Sequence, residues 1–293
     1  MHMDPFGAPL IRAQNLHFDH KLMDSHELVP IVSFYRISEN TQRGPSGQQS
    51  WKQRPTWFDK RACFRKFVAV FSTKHLYVIA DDCNEDTLIF LRRFVSGSRI
   101  IRTSYKSGGF SFLHAARLAS ALPSNTVVYL SEDDWPVTSD APAAIREGLK
   151  LADMVTLSDY PDKYIDAGTV TTEGTVGNPL ISGRSEITRV YLSAKRHFKM
   201  TNSACMTFAC KAGLIKTDLG VYEKYCRSGF PHDFAMFREL LTLHKRTLIS
   251  PLPGCATHAE TPYLTPLVDW EAEMRPFNDD YDLHGSSTEK VAI

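Results

Sequence analysis

The residue types best suited to chemistry cluster where a greasy run ends. Residues 126–136 read TVVYLSEDDWP, five strand-forming residues followed by Glu132, Asp133, Asp134 and a Trp-Pro stop. Three adjacent carboxylates repel one another, and desolvation at a strand end raises their pKa values unless a cation or water compensates. A divalent cation relieves that strain, and hard oxygen ligands suit magnesium or manganese. A solvated turn is the alternative, because Asp ahead of such a stop is ordinary loop chemistry. On this motif alone the two readings stand even.

Further candidates are spread along the chain. HLYVIADDCN ends a second greasy run on Asp81 and Asp82, and GFPHDFAMFREL places His232 and Asp233 at the start of a helical pattern. PGCATHAE carries His258, and VPIVSFYRIS ends near Tyr35 and Arg36. Arg suits bidentate phosphate contact, although a surface salt bridge would look the same. Ser107, Gly108 and Gly109 let backbone approach a ligand closely, or form a plain helix-opening turn. Asp233 is equally a favoured N-cap for a helix beginning at Phe234, and a lone His258 is by itself an ordinary loop histidine.

Elements able to position these groups follow from periodicity. Strands are expected at 29–38, in HLYVIADDCN, in SRIIRTSY and in TVVYL. They alternate with helices at about 58–71, in EDTLIFLRRFV capped by Asn84, in GGFSFLHAARLASALP, and in APAAIREGLKLAD with Asp140 as cap. Four such alternations predict βαβ units around a mostly parallel sheet, an α/β sandwich whose ligands bind at strand carboxyl ends. Both acidic clusters fall at such ends. Residues 39–56 read as a long loop and 161–190 as irregular or short strands. SACMTFACKAGLI returns to the core, GFPHDFAMFRELLTLH forms a helix, and RTLISPLPG forms a last strand. The division expected is an arm over 1–28, one domain over 29–277 with halves 29–140 and 141–277, and a loose polar tail over 278–293.

A strand delivering an acidic triplet, preceded by a strand ending in Asp, resembles the nucleotide-sugar-binding half of GT-A glycosyltransferases, particularly the inverting family-2-like enzymes. SEDDW is similar to their D-x-D motif with Glu in place of the first Asp. His232-Asp233 is similar to the acidic pair that opens a helix, and His258 to the late histidine of the metal site. The resemblance spans roughly residues 29–270. It implies a GT-A αβα sandwich and a metal-dependent transfer of sugar from a nucleoside-diphosphate sugar to a glycan or glycoconjugate hydroxyl. Asp134 and His258 would hold Mn2+ or Mg2+. Asp133 and Glu132 would hold ribose, sugar hydroxyls or metal-bound water. Asp82, or else Asp81, would accept a hydrogen bond from the nucleotide base, with Tyr35, Arg36 and Gly108 beside the donor. Asp233 would be the catalytic base. His232 departs from the family's pattern, which has Glu at that place.

Composition sets the outer limits. The chain has 293 residues, 43% hydrophobic and 23% charged, with net charge +1, so a sizeable core is expected and no charge excess points to nucleic acid. Four of the eleven histidines lie in residues 1–27. The six cysteines lack a C-x-x-C pair and read as reduced, core-filling thiols. With no apolar run of about 18 residues and no greasy leader, a soluble, cytoplasmic protein without a transmembrane segment is expected. The basic run over 54–66, with Arg54, Lys60, Arg61, Arg65 and Lys66, would suit nucleic acid or a phosphorylated acceptor, but its helical spacing favours a solvated face with a buried aromatic stripe. Two rival readings remain: a sugar nucleotidyltransferase, whose Gly-rich basic loop is not evident after the first strand, and a non-catalytic nucleotide-sugar-binding module.

Overall fold

The computed structural model describes residues 30–39, 52–164 and 188–278. The expected arm, most of the loop over 39–56, most of the segment over 161–190 and the tail past 278 lie outside these residues. The chain runs β1 (Ile31–Ser38), α1 (Lys60–Val70), β2 (Leu76–Asp81), α2 (Glu85–Arg92), β3 (Ile100–Thr103), α3 (Gly108–Ser120), β4 (Val127–Glu132), α4 (Ala141–Gly148) and β5 (Met154–Val155). It continues through β6 (Val190–Leu192), β7 (His197–Met200), β8 (Phe208–Lys211), α5 (Ala212–Cys226), α6 (Asp233–Thr242), β9 (Leu248–Leu252) and α7 (Trp270–Asn278).

Among the described residues the strands form one sheet in the order β3-β2-β1-β4-β8-β5-β9-β7-β6. The pairings set β7 and β8 against the other strands, which share one direction. This is the expected α/β sandwich with a mostly parallel sheet. Period-two alternation explains the two cores: Ile31, Tyr35 and Ile37 join Phe64, Phe67, Leu88 and Ile145 from α1, α2 and α4, whereas Val32 and Phe34 join Phe112, Ile215 and Phe237 from α3, α5 and α6. Phe67 stacks on both Phe71 and Tyr129 and is fully buried, a placement that contributes about 1.5–3 kcal/mol.

Capping sets several helix starts. Asn84 accepts from the Thr87 amide at 2.8 Å as expected, Asp59 from the Ala62 amide at 2.7 Å, and the Ser107 hydroxyl from the Phe110 amide at 3.2 Å. Asp140 does not cap α4; its carboxylate is taken by the Thr138 hydroxyl and, at 2.8 Å, by Arg196. The longest helix among the described residues, α5, was not anticipated. It follows β8 directly, without a side-chain cap, and its buried positions Ile215, Tyr222 and Cys226 are diluted by Gly213 and Gly220. All six cysteines are free, and Cys63, Cys210, Cys226 and Cys255 are buried. No helix among the described residues is long and apolar enough to cross a membrane.

The strand order explains where a ligand would sit. From β1 the chain winds outward through β2 to β3, then α3 carries it back over the opposite face to β4 on the other side of β1. The reversal leaves a crevice between the carboxyl ends of β1 and β4, the position at which open α/β sheets bind ligands.

Candidate active site

A cavity of about 590 Å³ opens at that crevice. Its walls come from the ends of β1 (Arg36, Ser38), β2 (Asp81) and β4 with its turn (Glu132, Asp133, Asp134), and from the start of α3 and residues 228–231. The acidic triplet therefore faces a cleft and is not a solvated turn: Asp133 and Asp134 are each 3% exposed.

Each carboxylate of the triplet has its own cation. Arg36 pairs with Glu132, Lys60 Nζ lies 2.8 Å from Asp133 Oδ2, and Lys52 Nζ and Arg54 Nη2 lie 3.0 and 2.8 Å from Asp134 Oδ2. The Ser38 amide also donates to Asp133 Oδ2 at 3.0 Å. Burial opposes ionisation of Asp134, but Lys52, His258 and Arg54 overcome it and hold the carboxyl well below the usual range. Its other oxygen, Oδ1, is buried with no partner among the described residues. The basic run is thus no solvated face. Arg54 and Lys60 turn inward to the triplet, and Lys66 is buried against Glu273 at 2.5 Å.

His258 reaches Asp134 because residues 255–260 run alongside 134–138. The Ala259 amide donates to the Asp134 carbonyl at 2.9 Å, the Thr257 amide to the Pro136 carbonyl at 3.2 Å, and Val137 bridges Ala256. The His258 ring stacks on Trp135 with centroids 5.2 Å apart, leaving Nε2 3.1 Å from Asp134 Oδ2.

The donor-side expectations divide. Asp81 lines the cavity, but its carboxylate is engaged: Oδ1 accepts from the Tyr105 amide at 2.6 Å and the Thr103 hydroxyl at 3.0 Å, and Oδ2 from the Ser107 amide at 3.1 Å. It orders the loop that enters α3. Asp82, ranked ahead of it from sequence, is not among the cavity residues; it sits at φ 53°, with its carboxylate 3.7 Å from Lys106 Nζ. Gly108 lines the cavity, and a side chain there would meet nothing within 4 Å, so close packing does not demand glycine. Gly109 is different. A Cβ would lie 2.7 Å from the Gly229 carbonyl oxygen, to which the Gly109 amide donates at 3.0 Å and the Ser107 hydroxyl at 2.5 Å.

One expectation is corrected. Tyr35 does not line the cavity: alternation along β1 turns it into the core, where it is fully buried against Phe64 and Phe67. Arg36 does line the cavity, but its terminal nitrogens are committed to the Gly108 and Met206 carbonyls, each at 3.1 Å, and to Glu132. It secures the β4 end against α3, as a buried ion pair and not a surface one. Tyr35→Phe should leave nucleotide binding unchanged in calorimetry and thermal stability unchanged or raised, because the hydroxyl is buried without a partner among the described residues. A marked loss of binding would restore Tyr35 to the site.

Asp233 stands at the first turn of α6, where its Oδ1 accepts from the Phe234 amide at 2.8 Å. Burial pushes its carboxyl above the ordinary range, against the opposing hydrogen bonds of Phe234 and Cys205 and the charge of His258. Cys205 in turn receives the Tyr160 hydroxyl at 3.0 Å, and Tyr160 meets Trp135 edge-on at 6.0 Å. Asp233 is thereby joined through Cys205, Tyr160 and Trp135 to the triplet. No cation is paired with it among the described residues.

The expected metal ligands Asp134 and His258 are brought together, but they do not fit a resident divalent ion. Lys52 Nζ lies 3.0 Å from Asp134 Oδ2 and 3.0 Å from His258 Nε2, so an ammonium bridges the two groups that an ion would have to bridge. Arg54 adds a second positive charge at the same oxygen. Among the described residues no three His, Cys, Asp or Glu side chains converge as a metal site.

No family model matches the chain, and no curated protein does. Solved structures resemble it at low identity. The 2-C-methyl-D-erythritol 4-phosphate cytidylyltransferase of Francisella tularensis is 11% identical, with 84% of this chain and 99% of that chain covered and a TM-score of 0.46. The CTP:phosphocholine cytidylyltransferase of Streptococcus pneumoniae is 9% identical, covering 76% and 89%, with a TM-score of 0.41. TarS 1-349 of S. aureus is 10% identical, covering 64% and 49%, with a TM-score of 0.34. Identities this low describe a chain path, and the side chains have to decide the chemistry.

Sequence reading missed Lys52, Cys205 and Tyr160. Lys52 lay in a Gly, Pro and Gln-rich stretch with no periodicity to orient it. Cys205 and Tyr160 reach Asp233 only through tertiary folding. The charge sum over 52–66 was the available signal for the cations, since three buried carboxylates require compensation from somewhere.

Proposed function

We propose that the chain is a transferase that binds a nucleoside-diphosphate sugar in the cavity at the ends of β1, β2 and β4 and transfers the sugar to an acceptor hydroxyl. The observation that carries this reading is the separation of two kinds of carboxylate. The triplet is matched by cations and faces the cavity, whereas Asp233 is half-buried, has a raised pKa and has no paired cation among the described residues. The first set suits a donor's phosphates and hydroxyls; the second suits a general base.

In this reading the cavity-lining cation Lys52 lies toward the diphosphate, Lys60 holds Asp133 behind it, and the unpartnered Asp134 Oδ1 accepts from a donor hydroxyl. Asp233 takes the proton of the acceptor hydroxyl as its oxygen bonds to the anomeric carbon. The bond from that carbon to the phosphate oxygen breaks, and its electron pair leaves with the nucleoside diphosphate. One in-line displacement inverts the anomeric centre.

Nucleotidyl transfer is the second reading, the activity named for the two cytidylyltransferases above. The observation here that favours it is the excess of cations over carboxylates: Arg36, Lys52, Arg54 and Lys60 surround three acids, a balance that suits a triphosphate. Two assays on the same protein separate the readings. Nucleoside diphosphate should be released from a panel of nucleotide sugars, by transfer or slow hydrolysis. Pyrophosphate release from nucleoside triphosphates with sugar 1-phosphates, without any diphosphate release in the first assay, would replace glycosyl transfer by nucleotidyl transfer.

A further inference from the structure

We propose that Phe230 is the platform for a sugar ring of the acceptor, so that the hydroxyl brought to Asp233 belongs to a saccharide. The inference rests on the sugar-transfer reading above and names the acceptor class of that same site.

Three observations carry it. First, the cavity is lined by two unlike sets of residues: the acidic triplet with its cations, and an apolar set that includes Phe110, Gly229, Phe230 and Pro231. Phe230 is 45% exposed, whereas the aromatic rings Tyr35, Phe67 and Phe112 are fully buried. Second, its place is fixed through the backbone. The Gly229 carbonyl before it accepts from the Gly109 amide at 3.0 Å and the Ser107 hydroxyl at 2.5 Å, its own carbonyl accepts from the Ser228 hydroxyl at 3.1 Å, and the His232 amide donates to the Tyr225 carbonyl at 3.1 Å. The His232 ring meets the Phe230 ring edge-on, with centroids 5.5 Å apart. Third, Phe230 precedes Asp233 by three residues, a length of chain that reaches at most about 11 Å. One acceptor ring and the bond being made can bridge that span.

The chemistry of the ring selects its ligand. An aromatic face is electron-rich and repels phosphate, whereas the C–H bonds on one face of a sugar ring are slightly positive and pack flat against it. The base of a nucleotide donor is held away from the reacting carbon by ribose and diphosphate. The acceptor ring, in contrast, has to lie beside Asp233 and hence within reach of Phe230. A phenyl group with two rotatable bonds on a fixed backbone loses little entropy on stacking. A hydroxyl on a small flexible acceptor would leave the ring uncovered.

The test uses the full chain holding whichever of UDP, GDP, CDP or ADP binds it in calorimetry. Methyl glycosides of glucose, galactose, mannose and N-acetylglucosamine are then titrated and followed by saturation-transfer NMR, with glycerol and N-acetylserine amide as ringless hydroxyl probes. The expected result is saturation of the C–H face of at least one glycoside and of neither ringless probe. Phe230→Ala should weaken that glycoside about tenfold, the loss of one buried aromatic contact, and Phe230→Tyr should restore it. Diphosphate affinity and melting temperature should stay unchanged in both variants. Glycoside binding that ignores Phe230→Ala, or a ringless probe bound in place of every glycoside, would overturn the inference and leave the donor reading intact. No binding of any probe would do the same, and a loss of diphosphate affinity in Phe230→Ala would put the ring over the nucleotide instead. Absence of binding by any diphosphate to the folded parent would overturn the donor reading and this inference with it.

Discussion

Asp233→Asn is expected to lower turnover about a hundred- to ten-thousand-fold, the usual contribution of a positioned general base, while the donor's affinity stays close to that of the parent. The reason is geometric: Asp233 belongs to α6 and the cysteine–tyrosine–tryptophan contacts behind the triplet, and it is not among the residues lining the donor cavity. The pH dependence has a definite sign. A base works only when ionised, and burial raises this carboxyl, so activity should fall as pH drops through a value above the ordinary carboxylate range. Stability should move the opposite way. A carboxyl whose folded pKa is raised binds its proton more tightly when folded, and it costs stability once pH exceeds its unfolded value. At neutral pH Asp233→Asn should therefore melt higher than the parent. A variant that keeps full turnover, or one that melts lower at neutral pH, would remove Asp233 from the base role or from its buried setting.

Asp81→Ala should be the most damaging substitution on the donor side. It strips the acceptors of the Thr103 hydroxyl and the Tyr105 and Ser107 amides, which hold the loop carrying Lys106 and Ser107 into the cavity wall. Leaving such donors unsatisfied costs about 3 kcal/mol, which corresponds to a fall of about 6–12 °C in melting temperature for a domain of this size. Nucleotide binding should weaken with it. Asp82→Asn is the matched control, because Asn also tolerates the left-handed backbone at φ 53°. Calorimetry should find its donor affinity unchanged. The reverse order of effects would return Asp82 to the role that sequence reading gave it.

Much of the scaffold was legible because the first four strands and their helices bury faces with clean periodicity. Val127 to Leu130 alternate between the two cores, and Asn84 and Ser107 cap where they stand. The acidic triplet was legible for the same reason, as a strand end in a fold that binds ligands at strand ends. What surrounds it was not. Lys52 and Lys60 reach the triplet from a segment about 70 residues or more away in sequence, and only the closing of the sheet reveals that they meet it. Tyr35 went astray through parity: one step along β1 separates a core ring from a cavity wall, and composition does not fix which is which. The reversed strand β8 escaped because four residues are too few to show a period, and α5 because Gly213 and Gly220 dilute its apolar face and no side chain caps its start.

The seam at Gly109 and Gly229 has a kinetic consequence. The first turn of α3 forms part of the cavity wall, and Gly229 lies four residues before Asp233, so one backbone contact joins the wall to the segment that leads into the base helix. With room for no side chain between them, the two segments share a common reference point. A ligand that shifts the first turn of α3 is therefore expected to shift residues 229–233 with it. For the transferase proposed above, the expected kinetic signature is ordered addition, donor before acceptor, read from initial-rate patterns with both substrates varied.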